Sequence, residues 1–140
     1  MSVVTTLSFG GRTEEAVQHY QSVLDAQVLM LMRFRECPDP SMAKPGLEEK
    51  IFHATIRIGS TELMASDMGC DDPNFEIAFA GFAFAVRDDS IEDAERHFAG
   101  LSEHGRVLLP LAPTFFATRY GIVIDRFGVS WKITVSGDVH

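Results

Sequence analysis

The first half of the chain combines short apolar runs with one amphipathic stretch. Between Thr13 and Leu24 the apolar residues recur at helical spacing, which predicts a helix with one buried face and with Thr13 as its cap. Glycines and a loop rich in Pro, Asp and Lys separate the other apolar runs, which have the length and β-branched content of strands. The predicted strands are Val3–Phe9, Gln27–Phe34, Ile51–Ile58 and Thr61–Ser66, and the predicted loop is Glu36–Lys50. The resulting order is βαβββ.

The second half repeats this order and part of its sequence. The segment Glu14–Tyr20 of the first helix returns as Glu92–Phe98, and Ser90 precedes the second copy in a pattern that resembles a capping box. The predicted elements are a strand at Phe79–Val86, a helix from about Ser90 to His104, and strands at Arg106–Leu109, Phe115–Asp125 and Val129–Val135. So long a repeat indicates a duplicated module. We therefore predict one domain over residues 1–140, made of modules at about 1–70 and 76–140.

Apolar and polar residues alternate along three of the predicted strands, Ile51–Ile58, Thr61–Ser66 and Val129–Val135. This alternation separates an apolar face from a polar one. Every second residue of each strand is apolar, which assigns that face to the core beneath the helices. The residues left on the other face are His53, Thr55, Arg57, Glu62, Met64, Ser66, Ser130, Lys132 and Thr134. This second face is either the lining of a binding site or the solvated side of an antiparallel sheet.

Composition excludes several classes of partner. The chain has 140 residues, 46% of them hydrophobic, which is enough for one buried core, and its net charge of −8 opposes binding to nucleic acid or to anionic membranes. No apolar run is long enough to span a bilayer, and the start, Met1–Val4, lacks the basic region of a secretory signal. We expect a cytoplasmic protein with no membrane contact, in which Cys37 and Cys70 are free thiols.

Several short motifs resemble one known family over nearly the whole chain. They are Leu7–Gly11, Glu15–Ala16, His19–Tyr20, His53–Ala54, Leu63–Asp67, Thr114–Ala117 and Asp125–Trp131. Through them the chain resembles the vicinal oxygen chelate superfamily, which includes glyoxalases and bleomycin-resistance proteins, and within it the PhnB-like branch. The resemblance implies an α+β fold in which two βαβββ modules form a curved, cup-like mixed sheet with helices on its convex side, and it implies a homodimer. The branch often carries a methyltransferase label, but the sequence has no glycine-rich strand-turn-helix pattern for adenosylmethionine.

Metal-using members of the superfamily place His, Glu or Gln at four positions of the cup. Matching the modules puts these positions near Thr5, Met64, Gly81 or Phe82, and Lys132, none of which is a good ligand for a divalent ion. We therefore expect no metal and no other cofactor. Of the histidines outside this set, His19 and His97 are interpreted as helix-surface residues or dimer contacts, His104 as a helix end and His140 as a chain end.

Six residues are the candidates for a binding site. His53 lies on the polar face, and an imidazole can act as acid or base near neutral pH. Met64, Ser66 and Phe116 are predicted ligand contacts, while Arg119 or Lys132 would hold an anion. Packing remains an alternative role for His53 and Phe116. Asp125 is assigned to a turn, and the acidic segment Ser66–Asp72 to a solvated linker.

These observations favour a small-molecule binding protein. The first hypothesis is a homodimer that binds a small organic molecule without a metal. One rival is a metal-dependent lyase, isomerase or dioxygenase, in which the ion would chelate two substrate oxygens. A further rival is a structural or regulatory partner of another protein.

Overall fold

The computed structural model describes residues 1–42 and 44–137. The chain divides into two compact units, Met1–Ile77 and Ala78–His140. No helix within the described residues is both long and apolar enough to cross a bilayer.

The first unit contains one helix and a four-stranded mixed sheet. Its elements are β1 (Thr6–Ser8), α1 (Thr13–Leu24), β2 (Gln27–Arg33), β3 (Ile51–Ile58) and β4 (Thr61–Ser66). A 3₁₀ turn, Phe34–Glu36, follows β2 directly, and a second one, Pro40–Met42, lies inside the predicted loop. The strand order is β1-β4-β3-β2; β1 runs parallel to β4, and the other pairs are antiparallel.

The second unit repeats this topology. Its elements are β5 (Phe84–Asp88), α2 (Ile91–Ser102), β6 (Arg106–Ala112), β7 (Ala117–Ile124) and β8 (Ser130–Ser136). The order is β5-β8-β7-β6, with β5 parallel to β8. The predicted α+β class and both βαβββ modules are confirmed.

Two strands of the second unit begin later than the alternation predicted. Strand β5 starts at Phe84 and not at Phe79, because Gly81 has φ of +81°, outside the extended region. Strand β7 starts at Ala117 and not at Phe115, because the Thr114 hydroxyl accepts the amides of Phe116 and Ala117 at 3.3 and 3.0 Å and so forms a turn.

In each unit the buried core lies on one face of the sheet. The first core contains Leu7, Phe9, Ala16, Val17, Tyr20, Leu24, Ala54, Ile56, Leu63 and Ala65, and the second contains Ala94, Leu101, Val123, Val129, Trp131, Ile133 and Val135. A Cβ atom on Gly121 of β7 would lie 2.7 Å from the ring of Phe98 on α2, so α2 packs closely on this face. The face carrying the odd-numbered residues of β8 is therefore the helix side, as the alternation predicted.

Helix α1 is capped by a residue distant in sequence, and the predicted cap at Thr13 is wrong. Asp67 Oδ1 accepts hydrogen bonds from the amides of Gly11 and Thr13 and from the Thr13 hydroxyl, at 2.9, 3.0 and 2.6 Å, while Oδ2 accepts the Ile51 amide at 2.9 Å. Asp67 is 1% exposed, so it also does not belong to a solvated linker. The carboxylate joins the helix start to β3 and satisfies amides that a helix end leaves unpaired.

The second unit uses local caps and turns. Ser90 accepts the Asp93 amide at 3.1 Å, which confirms the predicted cap of α2. Side-chain hydrogen bonds from Ser90 and Arg96 to the Asp93 carboxyl lower its pKa. Asp125 accepts the amides of Phe127 and Val129 and the indole N–H of Trp131, at 2.9, 3.0 and 2.9 Å. This confirms the structural interpretation of Asp125.

Candidate functional site

The face opposite α1 in the first unit brings three of the predicted site residues together. Strand register places Met64 between Thr6 and Thr55, while Ser66 pairs with Ser8 and His53 pairs with Met32. We call this surface the first open face. His53, Met64 and Ser66 all lie on it, half-buried.

Two of the polar groups on the first open face already have protein partners. His53 Nε2 lies 3.0 Å from the Thr55 hydroxyl, which orients the imidazole along its own strand. The Ser66 hydroxyl donates to the Phe52 carbonyl at 2.7 Å and accepts the Met68 amide at 2.9 Å. Ser66 therefore has a structural function at the end of β4, whereas His53 and Met64 are better placed to contact a ligand.

The corresponding face of the second unit carries Lys132. Register places Lys132 between Ala85 and Ile122, and the neighbouring Thr134 between Arg87 and Tyr120. We call this surface the second open face. Arg87 and Tyr120 were not among the predicted site residues. Arg87 was missed because it lies one residue beyond the predicted strand Phe79–Val86. Its position on this face becomes clear from the parallel pairing of β5 with β8, in which Arg87 lies beside Thr134.

Arg119 lies on the other face of the same sheet. It pairs with the buried Val135, and it is two residues before Gly121, which packs against Phe98 of α2. An irregularity between Ala117 and Arg119 shifts the register at the start of β7. The structure therefore does not bring Arg119 and Lys132 together; Arg87, and Arg106 through its pairing with Ile124, are cationic residues that share the face of Lys132.

Aromatic side chains border the second open face. The ring of Phe116 makes an edge contact with Tyr120, with centroids 5.0 Å apart, and Phe115 makes a similar contact with Phe116 at 5.1 Å. Phe116 is 42% exposed and Phe115 94%. Phe116 is therefore not a core residue; it extends an exposed aromatic surface away from Tyr120.

Charge distinguishes the second open face from the chain as a whole. Lys132 and Arg87 are exposed, and within residues 1–42 and 44–137 neither forms an ion pair or a hydrogen bond. Asp88, the acid next to Arg87, instead binds His97 Nδ1 at 2.9 Å. Two uncompensated cations beside an aromatic surface suit an anion with a flat apolar part.

An open groove of about 350 Å³ lies at the start of α1, but its polar groups bind one another. It is lined by Gly11, Arg12, Glu14, Glu15, Gln18, Glu49, Lys50, Ile51 and Asp67. Arg33, beside the groove, binds Glu14, which raises the pKa of the guanidinium, and Lys50 Nζ donates to the Gly11 carbonyl at 2.9 Å. With both oxygens of Asp67 occupied as well, these side chains stabilise the fold at this helix end.

Register refines the positions at which related proteins hold a metal. Thr6 pairs with Met64, and Ala85 pairs with Lys132, so Thr6 and Ala85 replace the predicted Thr5 and Gly81 or Phe82. In neither unit does the pair suit a hard divalent ion, because the first offers a hydroxyl and a thioether and the second a methyl group and an ammonium. In the described part of the chain, no group of three or more His, Cys, Asp or Glu residues could hold a metal ion.

Three of the remaining histidines lie away from both open faces. His19 is buried on α1, so its predicted position on the helix surface is wrong. His97 binds Asp88, and His104 has φ of +58° just after α2. His140 lies outside the described residues.

Comparison with known proteins places the chain in a family. Residues 1–134 match the family model described as 3-demethylubiquinone-9 3-methyltransferase. The chain belongs to this family. It is 31% identical over 137 residues to protein YjdN of Escherichia coli K12, covering 92% of this chain and 91% of YjdN. It is 34% identical to the crystal structure of PA1353 from Pseudomonas aeruginosa, with a TM-score of 0.83 and 99% of each chain covered. The PhnB protein from Bacillus cereus has 28% identity and a TM-score of 0.80, covering 97% of this chain and 100% of its own.

The comparisons confirm that the protein is PhnB-like. More distant structures share the fold alone. The fosfomycin resistance protein FosX from Mesorhizobium loti has 12% identity and a TM-score of 0.58, covering 96% of this chain and 90% of FosX. A glyoxalase-related enzyme from Fulvimarina pelagi has 16% identity and a TM-score of 0.60, covering 99% of this chain and 94% of that enzyme.

Proposed function

We propose that this PhnB-like protein is a cytoplasmic homodimer that binds a small organic anion, with a flat apolar part, on its second open face. The observation that carries the proposal is the register that places Lys132 and Arg87 on one face with Tyr120, whose ring contacts Phe116. The two cations would bind the anionic group, and the aromatic rings would cover the apolar part.

Binding of this kind needs no metal, because the two side chains supply the positive charge. A metal-dependent lyase, isomerase or dioxygenase would instead need ligands at Thr6, Met64, Ala85 and Lys132, whose side chains are unsuitable. Methyl transfer from adenosylmethionine is likewise not part of the proposal, since the sequence lacks a glycine-rich strand-turn-helix pattern for that cofactor.

The first open face contributes His53, a group able to donate or accept a proton near neutral pH. Its imidazole is half-buried, and Nε2 lies 3.0 Å from the Thr55 hydroxyl. We assign Met64 and Ser66 to the same face as neighbours of His53.

Two features support the homodimer and the compartment. Strand β6 has no neighbour on one side in the described sheet, and its residues Val107, Leu108 and Leu109 are 44, 52 and 41% exposed. An exposed apolar edge of this kind favours pairing with a second chain. Cys37 and Cys70 are free thiols, as expected in a reducing cytoplasm.

The test is a calorimetric titration with benzoate and phenylphosphonate, and with neutral benzamide for comparison. We expect the anions to bind and benzamide to bind at least tenfold more weakly. Lys132→Met and Arg87→Met should each weaken anion binding about tenfold, which corresponds to about 1.4 kcal/mol. Arg119→Met is the matched control, because it removes the same charge from the opposite face and should leave the affinity unchanged.

Two outcomes would contradict this proposal. The first is equal binding of benzoate and benzamide, which would remove the role of the cations. The second is a loss of affinity in Arg119→Met as large as in Arg87→Met, which would show that general charge, and not the second open face, attracts the anion.

A further inference from the structure

Methionine side chains surround His53 on the first open face. Met32 pairs directly with His53 across the β2-β3 ladder, and Met30 pairs with Thr55, the residue that contacts the imidazole. Met64 pairs with Thr55 from the other side, on β4. Three thioethers therefore lie on the same face as one imidazole, on the strands that flank it.

These methionines are not needed for the hydrophobic core. The core of this unit lies on the other face of the sheet, where Leu31 pairs with Ala54 and Leu63 with Ile56. Met30 is 40% exposed, and Met32 and Met64 are half-buried.

The four residues lie on three neighbouring strands, β2, β3 and β4. Directly paired residues have Cβ atoms about 4.5–5.5 Å apart, and diagonal neighbours are about 7–8 Å apart. Met32 is directly opposite His53, whereas Met30 and Met64 are diagonal to it, each opposite Thr55. The long, flexible methionine side chains can close these gaps, because their sulfur atoms lie two bonds beyond Cβ.

The donor set selects a soft metal ion. Thioether sulfur favours Cu(I), while hard divalent ions prefer oxygen ligands, and imidazole serves as a ligand when neutral. The charged groups nearest along the face are Arg57 and Glu62, which pair with each other at the far end of the β3-β4 ladder. Arg57 donates to Gln27 at 2.6 Å, which holds it near the start of β2.

The contact between His53 and Thr55 also prepares the imidazole. A metal-binding histidine commonly has one ring nitrogen fixed by a hydrogen bond, which leaves the other nitrogen for the ion. Here Nε2 contacts the Thr55 hydroxyl at 3.0 Å, and no other described residue binds the ring.

We propose that Met30, Met32, Met64 and His53 form a binding site for a soft monovalent ion, Cu(I) or its analogue Ag(I). The site differs from the divalent positions considered above, because two of its ligands come from β2 and one from β3. It does not rest on the proposed function, which concerns the second open face.

The experiment uses the full chain with Cys37→Ser and Cys70→Ser, which removes both thiols as competing ligands for soft metals. Methionine methyl groups are labelled with ¹³C, and Ag⁺ is titrated while their NMR signals are followed. Cu(I) affinity is measured without oxygen, in competition with a chromogenic Cu(I) chelator. We expect one ion per chain and shifted methyl signals for Met30, Met32 and Met64.

Single variants separate the site from general thioether binding. Met32→Leu and Met64→Leu keep the side-chain size and should each weaken Cu(I) binding at least tenfold, as should His53→Gln. Met68→Leu is the matched control, because Met68 is 38% exposed but lies outside the sheet, and it should leave the affinity unchanged. Circular dichroism verifies that each variant is folded.

Three results would overturn the site. They are an absence of Ag⁺ and Cu(I) binding by the thiol-free chain, an equal shift of the Met68 methyl signal, and the same methyl shifts with Zn²⁺. Benzoate binding is measured on the same variants. Its retention in Met32→Leu distinguishes failure of the metal site from failure of the proposed function.

Discussion

Asp67 gives the sharpest test of how this fold is held together. The substitution Asp67→Asn keeps the shape of the side chain but replaces one acceptor oxygen by an NH₂ group. Both oxygens are in use, since Oδ1 accepts three hydrogen bonds from Gly11 and Thr13, and Oδ2 accepts the Ile51 amide at 2.9 Å. In either orientation of the new side-chain amide, its NH₂ group would face a buried donor of the protein.

The cost can be worked from these contacts. A buried donor without an acceptor costs about 1–3 kcal/mol, and the remaining hydrogen bonds lose the strength given by a charged acceptor. We expect Asp67→Asn to lower the free energy of unfolding by about 3 kcal/mol, a large part of the roughly 5–15 kcal/mol of stability that is common for domains.

Urea unfolding followed by far-UV circular dichroism measures this loss, and Asp71→Asn is the control. Asp71 lies in the same segment, but its ion pair with Lys44 is 3.6 Å long and exposed, so its loss should cost less than about 1 kcal/mol. Unfolding free energies that agree within about 0.5 kcal/mol for the two variants would refute the assignment of Asp67 as the buried link between α1 and β3.

Two further predictions follow from buried and exposed groups of the second unit. Trp131→Phe removes the indole N–H that donates to the Asp125 carboxylate, and should lower the free energy of unfolding by about 1–3 kcal/mol. A change below about 0.5 kcal/mol in a urea titration would contradict this prediction. If the proposed homodimer forms through the apolar edge of β6, Leu108→Lys places a charge in its interface and should give a monomer in light scattering after size exclusion, whereas the exposed Glu103→Lys should give a dimer. A dimeric Leu108→Lys protein would exclude this edge from the interface.

The two open faces show how duplicated modules acquire different chemistry. Both belong to the same βαβββ topology, and both turn away from a core packed under one helix. The first carries thioethers and an imidazole, while the second carries two cations and aromatic rings. Core positions must stay apolar for stability, whereas residues on the open faces are free to diverge between the modules.

Site prediction from sequence was most successful where alternation is regular. Along β3 and β4 it placed His53 and Met64 on the open face, because one strand alone determines which residues share a side. It offered Arg119 as an alternative to Lys132 for holding an anion, but Arg119 pairs with the buried Val135 and so lies on the opposite face of the sheet. Arg87 was missed because β5 begins and ends later along the chain than the apolar pattern predicts.

The sequence by itself determined the duplicated βαβββ order, the helices, the core faces and the family, because these follow from local periodicity and from motifs along the chain. Only the tertiary structure decided which strands are neighbours and in which register. The partnership of Asp67 with Thr13, the pairing of Met32 with His53 and the shared face of Arg87 and Lys132 each join residues far apart in sequence. Such contacts depend on how strands align across a sheet, and a shift of one residue moves a side chain to the opposite face.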